Sequence, residues 1–70
     1  MALIVVAEDD GGTLKLIQVV LRNQGHNVIT ASDGHGAWQL IREHRPDLVV
    51  SDDVCYQRTT AGLERVDVIY

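Results

Sequence analysis

Two short runs of apolar, mostly β-branched residues constrain the fold of this chain more than any other feature. Leu3–Ala7 and Leu48–Val50 have the composition of strands buried on both faces, as in parallel sheets covered by helices. Acidic residues follow each run, Glu8-Asp9-Asp10 after the first and Asp52-Asp53 after the second. Because ligands of open α/β sheets collect at the carboxyl ends of the strands, we expect both acidic clusters at one rim of the sheet.

The segment between these runs predicts helix, strand and helix in turn. Thr13 is expected to cap a first helix after a glycine pair, and Gly25 follows it where a left-handed C-terminal cap would fall. Asn27–Ala31 is a short β-prone run, and Ser32-Asp33-Gly34 is a turn that can cap the next helix. Pro46 ends that second helix early. This alternation forces parallel strand pairing, so the fold class is α/β.

Beyond Asp53 the pattern is less clear. Gly62–Val66 is compatible with the start of a third helix, whereas residues 66–70 have a composition that favours a fourth strand. Both assignments stay open. We find no linker or internal boundary, so residues 1–70 are expected to form a single domain.

Composition and charge narrow the class of protein. The chain has 70 residues, a hydrophobic share of 46% and a formal net charge of −4, as expected for a small soluble globular domain. The acidic balance argues against direct binding of nucleic acid. The apolar run at the N-terminus is too short to span a membrane, and the single cysteine, Cys55, fits a reducing cytoplasm.

The acidic clusters suggest a metal site. Glu8, Asp9 and Asp52 carry hard oxygen donors, which suit Mg²⁺ or Mn²⁺. Clustered carboxylates repel one another, so they imply raised pKa values or a bound cation. A phosphoryl-transfer site follows as a hypothesis, in which one aspartate attacks a phosphoryl donor and forms an acyl phosphate. The structural alternative is that these residues only cap helices in strand-to-helix loops, and the residues alone do not exclude it.

Three segments together resemble a known family. Leu3–Asp10, Ala31–Gly34 and Pro46–Asp52 stand in the order and spacing of a response-regulator receiver domain of bacterial two-component systems. The chain resembles the N-terminal half of that domain over roughly residues 2 to 54. The resemblance implies a flavodoxin-like parallel sheet of strand order 2-1-3-4-5, present here as strand, helix, strand, helix, strand plus a short third helix or strand.

The resemblance also implies a function. Asp52 would be the phosphoacceptor, taking a phosphoryl group from the histidine of a sensor histidine kinase. Mg²⁺ would be held by Glu8, Asp9, Asp52 and the backbone carbonyl of Val54. Adjacent strand residues point opposite ways, so only one of Asp52 and Asp53 can face the metal, and the resemblance favours Asp52. Such a module is a substrate that assists its own modification and not a turnover enzyme.

Residues 55–70 depart from the family pattern and form a divergent tail. Cys55-Tyr56-Gln57-Arg58 replaces the usual Met-Pro and glycine-containing loop, and the family's switch Ser/Thr and its Lys have no counterpart in the 70 residues. An alternative function follows: a truncated or degenerate receiver fragment that serves only in protein interaction or self-association, without phosphotransfer. A half sheet would also leave the third strand with an open edge, through which a homodimer could form.

Overall fold

The computed structural model describes residues 1–51 and 55–66. In chain order its elements are β1 (Leu3–Ala7), α1 (Gly11–Asn23), β2 (Asn27–Ala31), α2 (Gly34–His44), β3 (Leu48–Val50), β4 (Cys55–Thr59) and β5 (Gly62–Val66). The five strands form one sheet of order β2-β1-β3-β4-β5. β1 pairs in parallel with both β2 and β3, which confirms the predicted α/β class and the order of the first three strands.

The apolar runs lie where the sequence predicts them, at the centre of the sheet. Alternate residues of β1 point to opposite faces and build two clusters. Ile4 and Val6 pack with Val28 under α1, and Val5 packs with Val49 and Ala37 under α2. The two helices therefore cover opposite faces of the sheet.

The helix ends are set by local chemistry, with one difference from the sequence prediction. The N-cap of α1 is Asp10 and not Thr13, because the Asp10 carboxylate accepts hydrogen bonds from Thr13. Gly25 follows α1 with a φ of 87°, which confirms the predicted left-handed position. Asp33 caps α2 as expected, by accepting a hydrogen bond from the backbone N–H of Gly36 at 2.7 Å. α2 ends at His44, two residues before Pro46.

The segment after β3 corrects two expectations. Gly62–Val66 does not begin a third helix, because it forms β5 of an antiparallel hairpin with β4. The hairpin pairs antiparallel with β3, so the last two strands do not continue the parallel pattern implied by the resemblance. Residues 67–70, which include most of the alternative strand, lie outside the described residues.

The hairpin also closes the edge through which a homodimer was expected. β4 occupies the edge of β3, with Val49 opposite Tyr56 and Val50 opposite Cys55. Arg58 fixes the far end of β4, because its Nε donates to the carbonyl of Pro46 at 2.8 Å and its backbone N–H donates to the carbonyl of Asp47 at 2.8 Å. The prediction of an open edge along β3 is therefore wrong, and within the described residues the outer strands are β2 and β5.

No helix in the described part of the chain is long and apolar enough to cross a membrane.

Candidate functional site

The carboxyl ends of β1, β2 and β3 meet at one rim of the sheet. The parallel registers set Ala7 beside Ala31 and Val6 beside Val50. The backbone N–H of Glu8 donates to the carbonyl of Ala31 at 3.1 Å, which extends the pairing of β1 with β2 by one residue and fixes Glu8 at this rim. The first acidic cluster therefore lies where the sequence analysis predicts it.

The three acidic residues of this cluster have different surroundings. Glu8 is the one charged residue of the described chain that is buried, with a relative exposure of 9%. Its Oε1 accepts a hydrogen bond from the backbone N–H of Asp10 at 3.1 Å. Asp9 is exposed. Glu8 and Asp9 thus provide one buried and one exposed carboxylate at the end of β1, and such hard oxygen donors fit Mg²⁺.

Asp10 has a structural role. Its Oδ2 accepts hydrogen bonds from both the hydroxyl and the backbone N–H of Thr13, the latter at 3.3 Å. These two hydrogen bonds, the hydroxyl first, hold the pKa of Asp10 below its ordinary value of 3.8. Asp10 therefore caps the first turn of α1. For this one acidic residue, helix capping, the structural alternative to metal binding, is correct.

The pKa of Asp10 gives a pH prediction. Because the folded chain lowers this pKa, the stabilisation from the ionised carboxylate is fully present above pH 3.8 and is lost as the pH falls through the folded-state pKa. Asn is an equally good N-cap but does not titrate. We expect the free energy of unfolding, measured in urea, to be larger for the wild type than for Asp10→Asn. This difference should shrink as the pH falls below 3.8. A constant difference between the two proteins across this range would contradict the assignment.

The second acidic cluster, Asp52-Asp53, falls in a segment that the structure does not describe. Asp52, Asp53 and Val54, the predicted phosphoacceptor, its neighbour and the carbonyl ligand, lie outside the described residues. Within residues 1–51 and 55–66, no three His, Cys, Asp or Glu side chains come together in an arrangement that would hold a metal ion. The predicted metal site therefore stays a prediction that depends on Asp52 and Val54.

The residues that flank this segment are described, and they lie at the same rim. Ser51 follows β3 directly, and Cys55 begins β4 opposite Val50. Because β5 runs antiparallel to β4, its last residue, Val66, is opposite Cys55 at this rim. The sequence analysis did not predict that β4 and β5 also contribute strand ends here. In the sequence, Gly62 was the available signal for a turn, and in the structure it has a φ of 120° and pairs with Thr59 across a two-residue connection.

Comparisons with known proteins agree with this architecture. The family described as "Response regulator receiver domain" matches residues 4–67. The chain is 40% identical over 52 residues to the transcriptional regulatory protein AfsQ1 of Streptomyces coelicolor, which covers 74% of this chain and 23% of that protein. The values are the same for the transcriptional regulatory protein KdpE of Mycobacterium tuberculosis.

A third relative is the DNA-binding response regulator MtrA of Mycobacterium leprae, which is 39% identical over 49 residues, or 70% of this chain and 22% of that protein. The chain thus spans less than a quarter of the length of these curated relatives. The family match extends over nearly the whole chain and includes the β4–β5 hairpin. The chain therefore belongs to the response regulator receiver domain family, whose members are signalling modules of two-component systems.

Proposed function

We propose that this chain is a phosphoacceptor module in which Asp52 receives a phosphoryl group in a Mg²⁺-dependent reaction. The observation that supports the proposal most directly is the position of Glu8 and Asp9. Both follow β1 at the rim where β3 ends, and the chain leaves β3 towards residue 52 at that same rim. Two carboxylates are therefore held close to the point where the proposed acceptor follows.

The proposed reaction transfers one phosphoryl group to Asp52. A carboxylate oxygen of Asp52 attacks the phosphorus atom of the donor, the bond between phosphorus and the leaving group breaks, and an acyl phosphate remains on Asp52. Glu8, Asp9 and Asp52, with the carbonyl of Val54, would hold Mg²⁺. When bound, the ion neutralises negative charge on the phosphoryl oxygens. The burial of Glu8 suits this role, because a buried carboxylate is stabilised by a nearby cation.

We further propose that the phosphoryl donor is a sensor histidine kinase and that α1 contributes to its recognition. α1 begins directly after the acidic residues, so its first turns lie beside the rim. Its outer face exposes Leu16, Val19 and Val20. Exposed apolar side chains that recur at helical spacing form a suitable surface for a partner helix.

The two neighbouring aspartates, Asp9 and Asp10, provide a matched test of the metal site. With acetyl phosphate and Mg²⁺, the wild-type chain is expected to gain the mass of one phosphoryl group, and removal of Mg²⁺ by EDTA should prevent that gain. Asp9→Asn removes a proposed ligand and is expected to slow phosphorylation about tenfold or more. Asp10→Asn keeps the N-cap and should react like the wild type.

Intact-mass measurements over time would follow this reaction. Equal rates for the two variants, or phosphorylation that persists in EDTA, would show that Asp9 is not part of a Mg²⁺ site. A wild-type chain that takes up no phosphoryl group under any of these conditions would instead favour a module that acts only through protein interaction.

A further inference from the structure

An apolar groove runs between α2 and the β4–β5 hairpin, on the face of the sheet opposite α1. Its cavity has a volume of about 270 Å³. Trp38 and Ile41 of α2 form one wall, Tyr56 and Leu63 of the hairpin form the other, and Val49 of β3 lies between them. The groove exists because α2 packs against β1 and β2, whereas no described helix lies over the hairpin.

One end of the groove lies at the rim that carries the first acidic cluster. Its lining there consists of Ala7, the last residue of β1, Gly34, the first residue of α2, and Ser51, which follows β3 directly. From this end the groove extends along α2 as far as Ile41. A ligand in the groove would therefore have one end beside the carboxyl ends of the parallel strands.

The charged residues that adjoin this end of the groove are acidic. Glu8 and Asp9 follow Ala7 in the chain, and Asp33 immediately precedes Gly34. Asp9 and Asp33 are exposed. Asp33 is also the N-cap of α2, so its carboxylate offsets the positive end of the helix dipole at this point. Among the described residues, no Lys or Arg lines the groove, and charge complementarity at the rim therefore favours a cation.

The walls of the groove favour a cation as well. Two of the three aromatic residues of the chain, Trp38 and Tyr56, line it from opposite sides. Trp38 leaves 60% of its surface exposed, so its ring is accessible at the side of the groove. The faces of aromatic rings attract cations, and aromatic side chains are a recurring feature of sites that bind alkylammonium groups. This argument is independent of the carboxylates at the rim.

The volume and the lining indicate a small ligand with one polar group. Drug-sized ligands occupy sites of about 300–1,000 Å³, and this groove is slightly smaller. Its lining is apolar except for the hydroxyls of Ser51 and Tyr56 and the indole N–H of Trp38. A ligand with many polar groups would lose hydrogen bonds with water here without replacing them. A single ring or a short branched chain with one charged end fits best.

We propose that this groove binds a small organic ammonium ion, with its apolar body between Trp38 and Tyr56 and its ammonium group at the rim beside Asp9 and Asp33. The phosphoacceptor reaction proposed above does not require this ligand. Binding can be measured without Mg²⁺ and without a phosphoryl donor, so the two proposals can fail independently.

Three probes with the same phenyl body and different charge test the proposal: 2-phenylethylammonium, 2-phenylethanol and phenylacetate. Trp38 reports binding through its emission, because it is the only tryptophan of the chain. The ammonium probe is expected to change this emission saturably, with a dissociation constant of about 1 mM for a ligand of this size. The alcohol should bind about threefold to tenfold more weakly, and the carboxylate more weakly still.

Asp33→Asn and Glu43→Gln are matched variants at the two ends of α2. Each removes one negative charge, and Asn keeps the N-cap of the helix. Asp33→Asn is expected to weaken binding of the ammonium probe about twofold to threefold and to leave binding of the alcohol unchanged. Glu43→Gln, in the last turn and away from the rim, should bind both probes like the wild type. Circular dichroism would establish that both variants fold.

Tyr56→Leu tests the aromatic wall. Leu keeps an apolar side chain at this position and removes the ring, so the ammonium probe should bind about twofold to fivefold more weakly. The alcohol should lose less affinity than the ammonium probe, because it carries no charge for the ring to attract.

Four outcomes would overturn the proposal. The first is an emission of Trp38 that the ammonium probe does not change, and the second is equal affinity for the ammonium probe and the alcohol. The third is an equal effect of the two α2 variants on the ammonium probe. The fourth is Trp38 emission that depends on protein concentration without any probe, together with a dimer in light scattering, because a second copy of the chain would then cover the groove.

Discussion

Replacement of Asp52 by Asn is expected to abolish the uptake of a phosphoryl group from acetyl phosphate. The amide of Asn has no anionic oxygen with which to attack phosphorus, so no acyl phosphate can form at this position. We expect the rate to fall at least about a hundredfold, below detection by intact-mass measurement. Hydroxylamine, which cleaves acyl phosphates, should remove the group from the wild-type chain.

Asp53→Asn is the control for this experiment. Adjacent residues of an extended chain point in opposite directions, so one of the two aspartates is expected to face the carboxylates of β1 and the other to face away. The Asp53 variant should therefore keep most of the activity. If Asp53→Asn lost phosphorylation and Asp52→Asn retained it, the acceptor would be Asp53 and the assignment based on family resemblance would be wrong.

Truncation of Val5 to Ala is expected to have the largest effect on folding. Val5 has 0% exposure and lies at the centre of β1, between Ile29 of β2 and Val49 of β3. Removal of its two methyl groups leaves a cavity beside Ala37 and should cost about 2 to 3 kcal/mol. A single core in a chain of this size rarely supplies more than about 3–5 kcal/mol, so much of the variant should be unfolded in mild denaturant.

Val20→Ala is the matched control. Val20 is 48% exposed on α1, and Ala is a better helix former than Val. Its effect on the free energy of unfolding should stay within about 0.5 kcal/mol. Urea unfolding followed by circular dichroism would compare the two variants, and similar midpoints would mean that Val5 does not lie in the tightly packed core.

The parallel half of the fold could be predicted from sequence because its signals are local and agree with one another. The β-branched run of β1 and the short run of β3 have no polar interruption, as expected for strands covered on both faces. Gly25 and Asp33 mark helix ends through their own backbone and side-chain chemistry. The one local error was the cap of α1, because Thr13 is a good cap residue that here donates to Asp10.

The β4–β5 hairpin could not be predicted from local signals, because its polar residues interrupt the alternation of apolar and polar residues that indicates a strand. Arg58 lies on the same side as Tyr56, where an apolar residue is expected in a half-buried strand. Its Nε is satisfied by the carbonyl of Pro46, a contact between residues 12 positions apart that no local pattern reveals. Tertiary contacts of this kind override the weak preferences of a short segment.

The position of the first acidic cluster was predicted from the sequence. Glu8 and Asp9 lie at the rim of the sheet, as the position of acidic residues after a buried strand indicates. The role of Asp10 as the N-cap of α1 depends on its hydrogen bonds with Thr13. The run of three acidic residues does not by itself indicate which of them caps the helix. That Asp52 and Val54 complete the site with Glu8 and Asp9 is a prediction. The phosphorylation experiments with the Asp9, Asp52 and Asp53 variants test it.

The reversal of direction between β3 and β4 has a practical consequence for work with this protein. Because β4 begins at the rim that carries Glu8, the two residues that join it to β5, Thr60 and Ala61, lie at the opposite end of the sheet. Both are exposed. A fluorophore, a spin label or an inserted affinity tag could be attached at this turn, at the maximal separation from the acidic residues that the hairpin allows.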